Sequence, residues 1–442
     1  MLKKLLNSYW FKSGSLTLIN RIAITLFGLL NFFFLVRILS KNDMGIWVIF
    51  LSILALSESI RNAFIYNPLL RYLNSAEEKD RRDIITASLV LNLLAALIIA
   101  VVFIILAFSI NYLMDAPQMY AMFLVSIISV FGFTLFAHFN FLQQANLRFG
   151  GTVVSTMTQK GSLFLYILYV YIFDVDTSLL LLAIVYSVGY VLSSIIAFFF
   201  TREESELHWK FDMIWVNRLF HYGKYTLGTN ISTMLNKSTR EWFLGGMIGN
   251  SAAAIFAPSV RVTNLFEIPL GAIASIFYPE MINRVSKEGN SAAKYMYEKS
   301  VGVIIIAVVP AVVLIYLLAE QIVLIIAGPD YPESIPVLQV MAIYGVFEPF
   351  QRQFGVTLNA IGKARINFYF IVISSTVGII FTYIFIDQYG VMGAAYSTLI
   401  TYALSAIIIQ YILYKQIGVN TANIFKYGLQ SVSKGVKMIL NR

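Results

Sequence analysis
Runs of mostly apolar residues, each about 20 residues or more and so long enough for a helix to cross a bilayer, recur along the chain. There are twelve, at about 14–37, 45–70, 84–110, 118–142, 152–173, 177–200, 219–248, 252–282, 300–327, 334–361, 366–386 and 391–414. The pattern predicts an all-α membrane protein with twelve transmembrane helices, and the even number places both ends on one side. The runs at 45–70, 219–248 and 252–282 are the least apolar and the richest in polar groups. A polar segment, Thr201 to Arg218, separates six runs from six. The predicted organisation is a six-helix bundle over 1–200, a cytoplasmic linker at 201–218, a second six-helix bundle over 219–414 and a cytoplasmic tail at 415–442.

The halves share an internal likeness. Setting Leu39-Ser40 over Ile248-Gly249 brings Gly45 onto Ala254, Ile46 onto Ile255 and Glu58 onto Glu267; YIFDVD from Tyr171 matches YIFIDQ from Tyr383. Two repeats entering from the same side imply a pseudo-twofold along the membrane normal, a cleft between bundles and alternating access by rocking them. Pro258, Pro269 and Pro279 share one run, each removing a backbone donor, so this run is a hinge or a static bend. In the tail, Phe425, Leu429, Val432, Val436 and Ile439 fall on one helical face with Lys426, Lys434 and Lys437 mostly off it. That is the pattern of a helix lying on an anionic leaflet.

Composition agrees: 59% of the 442 residues are hydrophobic, 12% are charged and the mean hydropathy is +0.76, which excludes a solvated surface. The chain has no cysteine, and His138, His208 and His221 show no ligand spacing, so neither disulfide nor metal is assigned. The basic start, MLKKLLNSYWFKSG, leads into an apolar run holding Asn20, Arg21 and Asn31 with no small-residue cleavage site, which reads as a retained first span preceded by a short interfacial helix.

The 32 Lys and Arg residues are unevenly placed. Segments on the side of the chain ends hold most of them, including Arg71, Arg81, Arg82, Lys210, Arg284, Lys287, Lys363, Arg365 and Lys415, whereas the opposite segments hold only Arg37 and Lys41. By the positive-inside rule both ends are cytoplasmic. The net charge of +9 is then mostly topology, and no nucleic acid is implied.

The remaining basic residues fall inside the runs: Arg21, Arg61, Lys160, Lys224, Lys237, Arg240, Arg261 and Arg352. A charge at mid-bilayer costs at least roughly 2.5–3.5 kcal/mol, so these side chains need water or partners. The densest stretch is HYGKYTLGTNISTMLNKSTRE (His221 to Glu241), where His221, Lys224, Gly228, Ser232, Asn236 and Arg240 form one helical stripe with Lys237 and Glu241 beside it. One reading is a water-filled cationic path with all eight residues binding an anionic substrate; the other is a polar seam, with span-end cations snorkelling and Glu58 and Glu241 serving as counter-ions for Arg61 and Lys237. Glu58, Glu241 and Glu267 are the candidates for coupling transport to protons or sodium.

Four stretches resemble the polysaccharide-export branch of the multidrug/oligosaccharidyl-lipid/polysaccharide transporters, the group of O-antigen-type flippases. They are LVRILSKNDMGIW (35–47), AAIFAPSVRVTNLFEIPLGAIASIFYPEMINR (253–284), IIAGPDYPESIPVLQVMAIY (325–344) and the run from Leu358 to Ile408. The resemblance implies a MATE-like fold in a bacterial inner membrane. The implied protein is a monomer without cofactor that is not an enzyme, working beside membrane lipids and a downstream polysaccharide polymerase. Its cargo would be a polyisoprenyl-pyrophosphate-linked oligosaccharide carried to the outer leaflet. Arg grips phosphate oxygens bidentately and Lys acts as a point charge, which suits that headgroup. A multidrug exporter would want an acidic cavity for cationic drugs. A lipid II flippase would be expected to have two further helices. A glycan polymerase would be expected to have a sizeable outer loop, whereas the outer connections here are short. No nucleotide-binding loop appears, leaving an ion gradient or the glycan gradient as the driving force.

Overall fold
The computed structural model describes residues 9–146, 148–202 and 212–440, with side chains from residue 19 onward except at 74, 75, 78, 79, 111, 224–226, 229, 275 and 432–440. Among these residues every regular element is a helix. The first seven are α1 (Tyr9–Ile38), α2 (Lys41–Ser75), α3 (Glu78–Met114), α4 (Gln118–Ala145), α5 (Gly150–Phe173), α6 (Leu179–Thr201) and α7 (Met213–Met247). A single 3-10 turn, Asn264–Phe266, joins α8 (Asn250–Thr263) to α9 (Glu267–Glu288). Then follow α10 (Asn290–Leu317), α11 (Ala319–Ile326), α12 (Ser334–Tyr344), α13 (Glu348–Ala360), α14 (Ala364–Tyr389), α15 (Val391–Ile417) and α16 (Thr421–Leu440).

A helix or a pair of helices stands at each apolar run. Among the described residues, nine helical stretches are long and apolar enough to cross a membrane, so this is a multi-pass helical membrane protein. The other three runs are diluted or divided: α5 holds Gln159 and Lys160, α7 carries the charged stretch, and α12 and α13 are each shorter than a span. Three runs are divided between two helices, 300–327 at Leu318 and the other two at or beside a proline. In 252–282, Pro269 lacks the N–H that would bond to Leu265, and the chain makes its 3-10 turn there. In 334–361, Pro349 lies in the first turn of α13, where its missing donor costs nothing.

Local chemistry sets several helix starts. The Ser40 hydroxyl oxygen accepts the Asp43 amide at 3.1 Å and donates to the Asp43 carboxylate at 2.9 Å, closing the N-terminus of α2. Ser178 does the same for α6 through the Leu181 amide.

The helices pack as two compact units. The first is Met1–Met234 with Gly249–Ser251, and the second is Leu235–Ile248 with Ala252–Arg442. Packing thus divides the chain within α7, whereas the sequence draws the division at 201–218, a segment of which 203–211 lie outside the described residues. In the first unit the closest pairing is α4 with α6. It is made possible at Gly132, where a Cβ would lie 3.1 Å from the Cβ of Tyr190. In its core Phe50 and Phe103 each meet Phe123 edge to face, and Trp47 lies tilted against Phe50.

In the second unit, α10, α13, α14 and α15 share a core of Tyr297, Phe354, Leu358, Phe370 and Ile409, which also takes in Ile424 of α16. The start of α16 is therefore part of this unit's interior. Buried Glu298 of α10 accepts the Asn420 amide at 2.7 Å and the Asn423 side-chain amide at 3.1 Å, capping α16 from a neighbouring helix. One turn on, a Cβ at Gly302 would meet the Ile424 carbonyl oxygen at 2.2 Å, and Gly428 faces Gly302 from the other side. Phe425 and Leu429 are exposed on α16, while Val432, Val436, Ile439, Lys434 and Lys437 lie outside the residues with described side chains.

Candidate functional site
Two buried polar centres stand out, one in each unit. In the first unit Arg61 of α2 is 2% exposed, and its Nη1 donates to the Val130 carbonyl and the Thr134 hydroxyl, both at 2.7 Å. Its guanidinium lies 4.3 Å from the centroid of the Phe133 ring. All these partners lie on α4, so Arg61 ties α2 to α4 through neutral acceptors, and its Nε has no hydrogen-bond partner. Glu58, one turn earlier, accepts the hydroxyls of Tyr190 at 2.6 Å and Tyr186 at 3.0 Å from α6. Thus the pairing of Glu58 with Arg61 read from their spacing is electrostatic proximity rather than a hydrogen bond: Glu58 spends its oxygen on two tyrosines.

The second centre gathers side chains from five helices of the second unit. Lys237 of α7 donates to Glu267 Oε1 at 2.8 Å, and Arg352 of α13 lies 3.6 Å from Glu267 Oε2. Glu267 is the first residue of α9, just past the 3-10 turn, where a carboxylate also suits the helix dipole. Three residues beyond Lys237, Arg240 is 6% exposed; its Nη2 donates to Asn236 at 2.9 Å and its Nε is without a partner. Asn236 packs on Gly378 of α14, where a Cβ would come within 2.8 Å of the Asn236 amide. Tyr402 of α15 neighbours Lys237, Arg240, Glu267 and Glu348 electrostatically. Glu348 is 8% exposed, and its Oε2 has no hydrogen-bond partner. Glu241 lies in electrostatic range of Arg240 and of Arg261 on α8.

Of the eight cations singled out by sequence, the second unit brings together Lys237, Arg240, Arg261 and Arg352. Arg61 sits in the centre of the first unit. Arg21 is exposed on α1 and Lys160 half-buried on α5, while the Lys224 side chain lies outside the described residues. Along the α7 stripe, His221 is exposed and bonded to the Asn217 carbonyl, Ser232 donates to the Gly228 carbonyl, and burial becomes complete at Arg240. Glu58 and Glu267, matched by the internal repeat, both hold two partners, but those partners are tyrosines in one unit and cations in the other.

Sequence reasoning missed Tyr186, Tyr190 and Tyr402, and with them Tyr344, whose ring centroid lies 4.8 Å from that of Tyr402. Tyr186 and Tyr190 carry a signal, two phenols one turn apart in an apolar run; the others carry none. Chemically, the second centre places four cations and three carboxylates in one neighbourhood, with donors on Arg240 still unspent. Such a set can hold an anion or exchange partners.

Solved structures share the fold at low identity. An inward-facing multidrug resistance MATE family transporter of the MOP superfamily superposes with a TM-score of 0.75 at 14% identity, covering 93% of this chain and 95% of that one. Lipid II flippase MurJ in an inward closed conformation gives 0.74 at 13% identity, covering 96% and 92%. In sequence, the probable low-salt glycan biosynthesis flippase Agl15 of Haloferax volcanii is 23% identical over 190 residues, 43% of this chain and 40% of Agl15. The profile of the polysaccharide biosynthesis protein family matches residues 34–336, more than half of the chain. The chain therefore belongs to the polysaccharide biosynthesis protein family and has the fold of these transporters.

Proposed function
We propose that this protein is a flippase that moves a polyisoprenyl-pyrophosphate-linked oligosaccharide, an O-antigen, capsule or exopolysaccharide repeat unit, from the cytoplasmic to the outer leaflet by alternating access. The observation that carries the reading is the second centre, where the partly unspent guanidinium of Arg240 stands three residues from Lys237 and in one electrostatic neighbourhood with Arg352. Cations are costly inside a membrane, and a family acting in polysaccharide biosynthesis supplies a reason to keep them: the pyrophosphate that carries such glycans. Twelve spans in two six-helix bundles with cytoplasmic ends, in a cell membrane, complete the proposal, and the protein acts as a monomer. Lys160, Lys224, Arg21, Arg61 and Arg261 are assigned to the same path, with Glu58, Glu241 or Glu267 as the ion-coupling group. Drug export has the support of the fold, but a net-positive surrounding disfavours cationic drugs.

The test is protein reconstituted in vesicles with a fluorescent lipid-linked oligosaccharide on one leaflet. Transfer well above protein-free vesicles is expected for the glycan-bearing pyrophosphate and not for cationic drugs. Equal transfer in the two vesicle populations would end the proposal.

A further inference from the structure
A second feature of the second unit lies apart from its charged centre. Between α14 and α15 runs a cavity of 410 Å³ with a chiefly hydrocarbon lining: Tyr369, Ile373 and Val377 on one helix, Leu404, Ile408 and Ile412 on the other. Tyr369, Ile373, Leu404 and Ile408 are among the exposed large hydrophobic side chains, so the cavity is a groove open along its side. From Ile366 to Val377 it rises roughly 16 Å, about half of a ~30 Å hydrocarbon core. It therefore covers about the depth of one leaflet.

The end of this groove is cationic. Arg365 stands one turn before Tyr369 on the same stripe of α14, and Lys415 and Gln416 continue the stripe of Ile408 and Ile412 on α15. Lys415 Nζ lies 4.6 Å from the Tyr411 ring centroid, drawn back along its own helix, and Lys363 donates to Gln416 across the two helix ends. Among the described residues, none of these three cations is in an ion pair with a carboxylate. A phospholipid with a single phosphodiester offers one negative charge and two chains. A glycosyl pyrophosphate offers at least two negative charges on a single chain, which matches the three cations of the mouth.

We propose that the α14–α15 groove, with Lys363, Arg365 and Lys415 at its mouth, is a docking station that holds the substrate's polyisoprenyl chain and pyrophosphate in the cytoplasmic leaflet before translocation. This rests on the flippase reading and adds to it a place of capture outside the charged centre.

The experiment uses the full chain in vesicles with two photoreactive probes, a diazirine-bearing polyisoprenyl-pyrophosphate oligosaccharide and a diazirine-bearing phosphatidylglycerol, with adducts located by mass spectrometry. The prenyl probe should label 366–377 or 404–412 and be displaced by unlabelled polyisoprenyl pyrophosphate, not by phosphatidylglycerol or cardiolipin. Arg365→Ala with Lys415→Ala should raise the half-saturating substrate concentration by roughly tenfold or more with the maximal rate kept. Ile373→Trp with Ile408→Trp should do likewise and lose the adducts, while Leu192→Trp, on the exposed face of α6, should change neither. Equal labelling by both probes, or displacement by cardiolipin, would make the groove an ordinary lipid seam and overturn the proposal. Flipping by the tryptophan variant at the wild-type half-saturation would also overturn it and leave the flippase reading standing. Specific prenyl adducts on a protein that flips nothing would do the reverse.

Discussion
Arg240 and Arg61 show how a buried cation can be provisioned in two ways. Arg61 spends Nη1 on a carbonyl and a hydroxyl and lays its guanidinium by an aromatic ring of the same helix, whereas Arg240 donates to a single amide on its own helix. Arg240→Ala should accordingly abolish flipping while the protein still inserts and purifies, and Arg240→Lys should restore part of it, because a point charge replaces a bidentate fork. A well-expressed alanine variant with a normal transfer rate would refute the substrate role. Tyr190→Phe tests the other centre. Removing its hydroxyl leaves Glu58 short of its closest donor, and a loss of about 1–2 kcal/mol is expected, read as a lower midpoint of thermal or detergent unfolding. Both arginines were legible in the sequence because a charge in an apolar run is conspicuous. Their partners were not: Val130, Phe133, Thr134 and Asn236 are ordinary residues whose roles come from packing, and only the one-turn spacing of Asn236 and Arg240 hinted at a contact.

Helix existence was readable from hydropathy, since twenty apolar residues leave the backbone no alternative to internal hydrogen bonds in lipid. Helix continuity was readable in part: three prolines marked the run at 252–282 as bent or hinged, but not which of them interrupts the helix. The break before α9 is a local backbone event set by Pro269, invisible to a scan for apolar length, and it places Glu267 at a helix start where Lys237 and Arg352 reach it. The tail was read as a surface helix from its periodicity; its first turns are instead built into the second unit through Ile424 and Gly428. Gly302→Val should expose this. The added carbon atoms cannot fit beside the Ile424 carbonyl, so α16 should detach, with a stability loss of about 1–3 kcal/mol and faster proteolysis within 421–440.

For the molecule as a whole, the repeat supplied the correspondence of Glu58 with Glu267, and the two carboxylates are used differently, one by tyrosines and the other by cations. That asymmetry bears on energy coupling. Glu58→Gln, Glu241→Gln and Glu267→Gln should be compared for transfer under imposed proton and sodium gradients. The expected result is that one variant loses its response to one gradient; an unchanged response in all three would remove these residues as the coupling groups. Topology is open to a direct check because the chain has no cysteine: single cysteines placed at Ser13 and Asn420 should react only with reagents that reach the cytoplasmic face.

The cap on α16 sets an order of events in biosynthesis. Glu298 leaves the ribosome 122 residues before Asn420, so for roughly 6–24 seconds at ordinary elongation rates the carboxylate waits at the membrane without its donors. During that interval the second unit cannot close its core. A chain interrupted anywhere before Asn420 would carry this unanswered charge permanently, offering membrane proteases a mark that separates unfinished products from completed ones.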